Sequence, residues 1–90
     1  MIDIYNAGYD EDWPEHFNKL DSGIKERVVK KIKKVLEFPK KRHLRQTAKF
    51  FVDEVGQYRI LYRVFDETNE IRFYFVGTHK EYEKWYKAYF

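Results

Sequence analysis

The sequence predicts an α+β domain in the order β-α-α-β-β-β-α. An antiparallel sheet would carry an N-terminal helix hairpin on one side and end in a short C-terminal helix. Three observations predict it. Apolar residues between Trp13 and Phe38 recur at helical spacing. From Phe50 to Val76 the period changes to two, in β-branched and aromatic runs. Thr78-x-x-Glu81 then has the spacing of a capping box, ahead of an aromatic stripe.

Taken in order, Ile2-Asp3-Ile4-Tyr5 alternates as a short half-buried strand does. Asp12-Trp13-Pro14-Glu15 reads as a helix start, with Asp12 as the cap and proline in the first turn. Trp13, Phe17 and Leu20 fall on one face of that helix. Asp21-Ser22-Gly23 interrupts it and can cap a second one. There Ile24, Val28, Ile32, Val35 and Leu36 line a single stripe, with lysines away from it, until Pro39. Phe50–Val55, Gln57–Phe65 and Ile71–Val76 are strands separated by Gly56 and by residues 66–70. Such short connections favour antiparallel hairpins. On the last helix Tyr82, Trp85, Tyr86 and Tyr89 form the stripe.

The length of 90 residues allows one hydrophobic core, so residues 1–90 are read as a single domain. Aromatic residues are 20% of the chain and supply the most buried area per residue to such a core. With no cysteine there is no disulfide, thiolate zinc site or cysteine nucleophile, which suits the cytoplasm. No apolar run approaches the roughly 20 residues a membrane helix needs. The net charge of +3 is unevenly spread: Asp3 to Glu15 is acidic, Lys25 to Arg45 densely basic. That field attracts nucleic acid or an acidic partner.

The strand Gln57–Phe65 puts Arg59, Leu61 and Arg63 on one face and Tyr58, Ile60, Tyr62 and Val64 on the other. If the helix hairpin covers the second face, two arginines remain on the first. A strand-rooted guanidinium can grip a phosphate through paired hydrogen bonds. Alternatively, each arginine pairs with a carboxylate such as Asp53 or Glu70. His79 stands in the first turn of the last helix, where anions are favoured and a neutral imidazole can act as a base. Lys80 and Tyr82 are close by in sequence, and His43 and Lys49 precede the first strand of the meander. The bland reading makes His79 a helix-start residue with no chemical role. His16, on the acidic first helix, draws least interest. The histidines lack metal-ligand spacing, the four glycines are scattered and Ser22 is the only serine. What remains is acid–base and electrostatic chemistry on an anion, without metal or cofactor. RNA brings its own nucleophile, the 2′-hydroxyl, and tyrosines such as Tyr82 and Tyr86 offer faces for unpaired bases.

The segment VGQYRILYRVFDETNEIRFYFVGTHKEY resembles the signature of the RelE/ParE toxin superfamily, and its G-T-H-x-E-Y ending is most similar to the HigB-like branch. The resemblance implies a type II toxin: a messenger RNA endoribonuclease, acting on the ribosome and held inactive by a cognate antitoxin. It implies that Arg59 stabilises the phosphate transition state and that His79 and Tyr82 supply proton transfer or base stacking. It places Lys49 or His43 where other members carry a further cation or histidine; the residues themselves add Arg63, Lys80 and Tyr86 as candidate RNA contacts. Gln57 departs from the family's usual acidic residue before the Tyr-Arg pair. Other branches poison gyrase without nuclease residues, so a non-enzymatic binding module of the same fold is the rival expectation.

Overall fold

The computed structural model of the protein describes residues 5–37, 50–65 and 67–89. Among these, β1 (Asn6–Tyr9) leads into α1 (Trp13–Asn18) and α2 (Ser22–Glu37). The meander β2 (Phe50–Val55), β3 (Tyr58–Phe65) and β4 (Glu70–Thr78) follows, and α3 (His79–Tyr89) ends the chain. The order is the expected β-α-α-β-β-β-α. The expected strand residues Ile2 to Ile4, the helix end at Phe38–Pro39, the basic stretch Lys40 to Arg45, His43, Lys49 and the Tyr89 side chain lie outside the described residues.

The four strands form one sheet in the order β1-β4-β3-β2. The meander is antiparallel, as short connections require, whereas β1 lies parallel to β4 and makes the sheet mixed. Of the expected strand Ile2–Tyr5 only Tyr5 is described, and the described strand begins just after it, at Asn6. Its residues, Asn-Ala-Gly-Tyr, are mostly exposed. Backbone bonding holds this edge: Asn6 N–H donates to the Asn69 carbonyl at 2.8 Å and Asp10 N–H to the Phe73 carbonyl at 2.9 Å. A strand held this way leaves little alternation to read.

Each helix start has an identifiable partner. Asp12 occupies the cap position of α1 but makes no side-chain capping bond. The Asp10 carboxylate does that work instead, accepting from Asp12 N–H at 3.2 Å, while the Asp10 carbonyl accepts from Trp13 N–H. Asp21 caps α2, accepting from Ile24 N–H at 2.9 Å. The capping box of α3 forms in full. Thr78 N–H donates to Glu81 Oε1 at 2.8 Å, and Glu81 N–H donates to Thr78 Oγ1 at 3.3 Å.

The sheet separates two apolar clusters. On one face Trp13 and Leu20 of the α1 region and Val28, Ile32 and Val35 of α2 pack on Val55, Ile60, Tyr62, Ile71, Phe73 and Val76. On the other, Phe50, Leu61, Tyr74 and Phe75 meet Tyr82 of α3, with Trp85 and Tyr86 against them. The β3 alternation therefore holds, but the Arg59 face is not left open, because α3 folds back over its middle. β4 makes room for this with a bulge. Leu61 pairs with Phe75 and Tyr62 with Phe73, so Tyr74 is the extra residue. Tyr74 and Phe75 thus both turn toward α3, and Val76 returns to the helix-hairpin side.

Candidate functional site

The β2–β3 connection has only two residues, Gly56 and Gln57, and Gly56 takes φ +59°, which a side chain resists. This tight turn sets Glu54 opposite Arg59. On the other side of β3, Arg59 faces Gly77 and Tyr58 faces Thr78, the last residues before α3. The register therefore carries Arg59 to the start of the final helix. Gly77 is needed there: a Cβ would sit 2.7 Å from the Phe75 ring and 2.9 Å from the capping carboxylate of Glu81.

An open groove of about 460 Å³ lies at this junction, lined by Glu54, Tyr58 and Arg59 of the hairpin and Thr78, His79 and Lys80 of the α3 start. Arg59 has support on two sides. Its guanidinium lies 5.0 Å from the Tyr82 ring centre, a cation–π arrangement, and its Nε is 3.7 Å from Glu54 Oε2. The carboxylate partner expected for Arg59, Asp53 or Glu70, is thus Glu54 instead. Asp53 approaches Lys31, and Glu70 pairs with Arg72. The reason is register: Asp53 pairs with Ile60 and so faces the helix-hairpin side.

His79 is exposed, and its Nε2 lies 3.1 Å from Glu83 Oε2, one helical turn on. The carboxylate orients the ring and leaves Nδ1 for other partners. Tyr82 is in a different position from that expected of a residue meeting substrate. It is 6% exposed, and its ring underlies Arg59 and stacks on Tyr86 at 5.8 Å. Burial pushes its phenol above the ordinary tyrosine value, and the Arg59 charge pulls less strongly the other way. Tyr86 is half-buried behind it.

Arg63 is not among the residues lining the groove. Four residues along β3 from Arg59, it is roughly 13 Å away at strand rise. Its guanidinium lies 5.3 Å from the Phe50 ring centre and 4.9 Å from that of Phe65. Arg59, His79 and Lys80 are brought together, with Tyr82 beneath. Sequence reasoning missed Glu54, Glu83 and Tyr58. The first was legible in the two-residue turn and the second in the i,i+4 spacing from His79.

Among the described residues no group of His, Asp and Glu could hold a metal, and no helix is long and apolar enough to cross a membrane.

No protein-family model and no curated protein sequence matches the chain. Solved structures do. The chain is similar to the E. coli RelE toxin mutant in the free state, with TM-score 0.79 and 28% identity over 94% of each chain. It is similar to a chain of the intact E. coli RelBE toxin–antitoxin complex, with TM-score 0.75 and 29% identity over 82% of this chain and 95% of that one. The archaeal RelE–RelB complex of Pyrococcus horikoshii shares the fold at TM-score 0.68 and 16% identity, covering 83% of this chain and 94% of that one.

Proposed function

Starting from the RelE/ParE toxin superfamily, to which its fold and strand-to-helix motif assign this chain, we propose a type II toxin that cleaves messenger RNA. The observation that carries the nuclease reading is the meeting of Arg59, His79 and Lys80 in one open groove. The RNA 2′-oxygen attacks the adjacent phosphorus and gives its proton to His79 Nδ1, whose ring is aligned through Nε2 by Glu83. Charge growing on the phosphate oxygens is met by Arg59, which Tyr82 and Glu54 hold in place, and by Lys80. The bond to the 5′-oxygen breaks, and that oxygen takes a proton from solvent. The products are a 2′,3′-cyclic phosphate and a 5′-hydroxyl. Since the chain's own cations meet the charge, cleavage should survive EDTA.

The partner is a cognate antitoxin, as in the RelE–RelB complexes. An acidic or amphipathic antitoxin segment suits the basic face of α2 and the outer edge of β2, the last strand of the sheet among the described residues. The RNA target is messenger RNA in the ribosome.

The test is induced expression of the wild type and His79→Ala in cells, with cut sites mapped by primer extension. Codon-phased cuts that vanish in the variant support the reading. Growth arrest without cuts would sink it. The pairing of Arg59 with Glu54 and of His79 with Glu83 favours a second reading, a gyrase-directed or RNA-binding module in which these are ordinary ion pairs. Toxicity surviving in an Arg59→Ala/His79→Ala double variant would select it.

A further inference from the structure

A second groove, of about 410 Å³, flanks Thr78 on the side away from His79. It runs between the end of α1 and α3, and it shares Tyr58 and Thr78 with the first groove. Its aromatic wall is the half-buried Trp85, stacked on the buried Phe75 with ring centres 5.4 Å apart. Lys19, the residue that closes α1, and Lys84 of α3 stand on its two rims, and both are exposed. Its one carboxylate, Glu81, is already engaged by Thr78 N–H in the capping box. His16 also lines it, edge-on to Phe75 at 4.8 Å, with Nε2 buried and without a hydrogen-bond partner. Two cations on the rims of an aromatic cleft suit a ligand with a flat apolar ring and a repeating negative charge. Single-stranded RNA has both, whereas an acidic peptide supplies the charge without the ring.

We infer that this second groove seats the nucleotide next to the scissile phosphate, its base against Trp85 and its phosphates between Lys19 and Lys84. The inference rests on the reading of the first groove as an RNA-cleaving site. It makes the α1 side of the molecule part of the RNA track, with Tyr58 and Thr78 as the divide between adjacent nucleotides.

The test uses the full chain and a fluorescent 2′-O-methyl hexauridylate, which lacks the attacking hydroxyl and cannot be cut. Affinity is followed against salt for the wild type, Lys19→Ala/Lys84→Ala and Arg59→Ala, and Trp85→Phe identifies the Trp85 signal. The double variant should bind about tenfold more weakly. Its slope of log affinity on log salt should be shallower by about 1.4, for two lost phosphate contacts on a single strand. RNA should quench Trp85 in the wild type and not in the double variant. If Arg59→Ala weakens binding and the double variant does not, the second groove is no RNA site, although the first still is. Weakened binding with no Trp85 signal would assign the lysines to diffuse attraction and overturn the seat. If the double variant keeps its RNA affinity and loses binding to the proposed antitoxin, the groove is a protein interface. If the wild type binds no RNA, the cleavage reading and this inference fall together.

Discussion

Arg59 shows how a single side chain is held in place by its neighbours. Its plane rests on a buried tyrosine ring and its edge on Glu54, so it is ordered before any ligand arrives. A lysine keeps the charge but neither the stacking plane nor the fork of donors. Arg59→Ala and Arg59→Lys should both lower the cleavage rate, by roughly 10²–10³-fold for alanine, with melting temperature nearly unchanged; single-turnover cleavage and thermal denaturation together check this. His16 has a different signature. Burial, and then Lys19, hold its imidazole below the usual histidine value, against the opposing pull of Asp12, Glu15 and Glu81. The unfolded chain therefore takes up a proton near pH 6.5 that the folded chain still refuses. Stability should be full above that pH and decline as pH falls through it toward the folded value. Thermal melts of the wild type and His16→Gln between pH 7.5 and 5 should show this decline flattened in the variant.

At the scale of elements, α3 hangs on a short list of contacts. Its N-terminus is held by the reciprocal Thr78–Glu81 bonds and its apolar face by Tyr82, Trp85 and Tyr86. Losing the threonine hydroxyl should cost about 1 kcal/mol. Thr78→Ala should therefore speed amide exchange over the first turn of α3 and lower activity, since His79 and Lys80 stand in that turn. Loss of activity with unchanged exchange would point to direct contact between the hydroxyl and substrate. The β2–β3 turn is under a different constraint. A side chain at Gly56 meets both the positive φ and the Arg27 guanidinium, 3.0 Å from where Cβ would lie. Gly56→Ala should destabilise by more than about 1 kcal/mol in urea denaturation. It should also disturb the groove, because the turn sets Glu54 opposite Arg59.

Across the whole molecule the two sides of the sheet are unequal. Among the described residues the helix-hairpin side holds most of the fully buried side chains, including Val28, Val35, Ile60, Tyr62, Ile71 and Phe73, all at 0% exposure. The α3 side is a smaller cluster that supports the candidate site. Phe73→Ala should cost roughly 3–5 kcal/mol, a large share of the ~5–15 kcal/mol that holds a typical domain folded. Tyr82→Leu keeps an apolar filling but removes the ring under Arg59. It should lose activity while retaining most of the stability, a contrast that denaturation curves and cleavage rates measured on the same samples would reveal.

The sequence by itself determined the element order, the apolar stripe of α2, the alternation of β3 and the capping box of α3. These are local patterns, in which a residue's neighbours a few positions away decide its state. The strand-to-helix motif also sufficed to point to the toxin superfamily. Only the tertiary structure decided that β1 joins the sheet in parallel, since an exposed edge strand held by backbone bonds leaves no hydrophobic period. It likewise decided that α3 covers the arginine face, that Tyr74 is extra in β4, and that Tyr82 lies beneath Arg59 while Arg63 stands apart. Those outcomes depend on which faces meet across the sheet. Such contacts join residues distant in sequence, and spacing along the chain does not encode them.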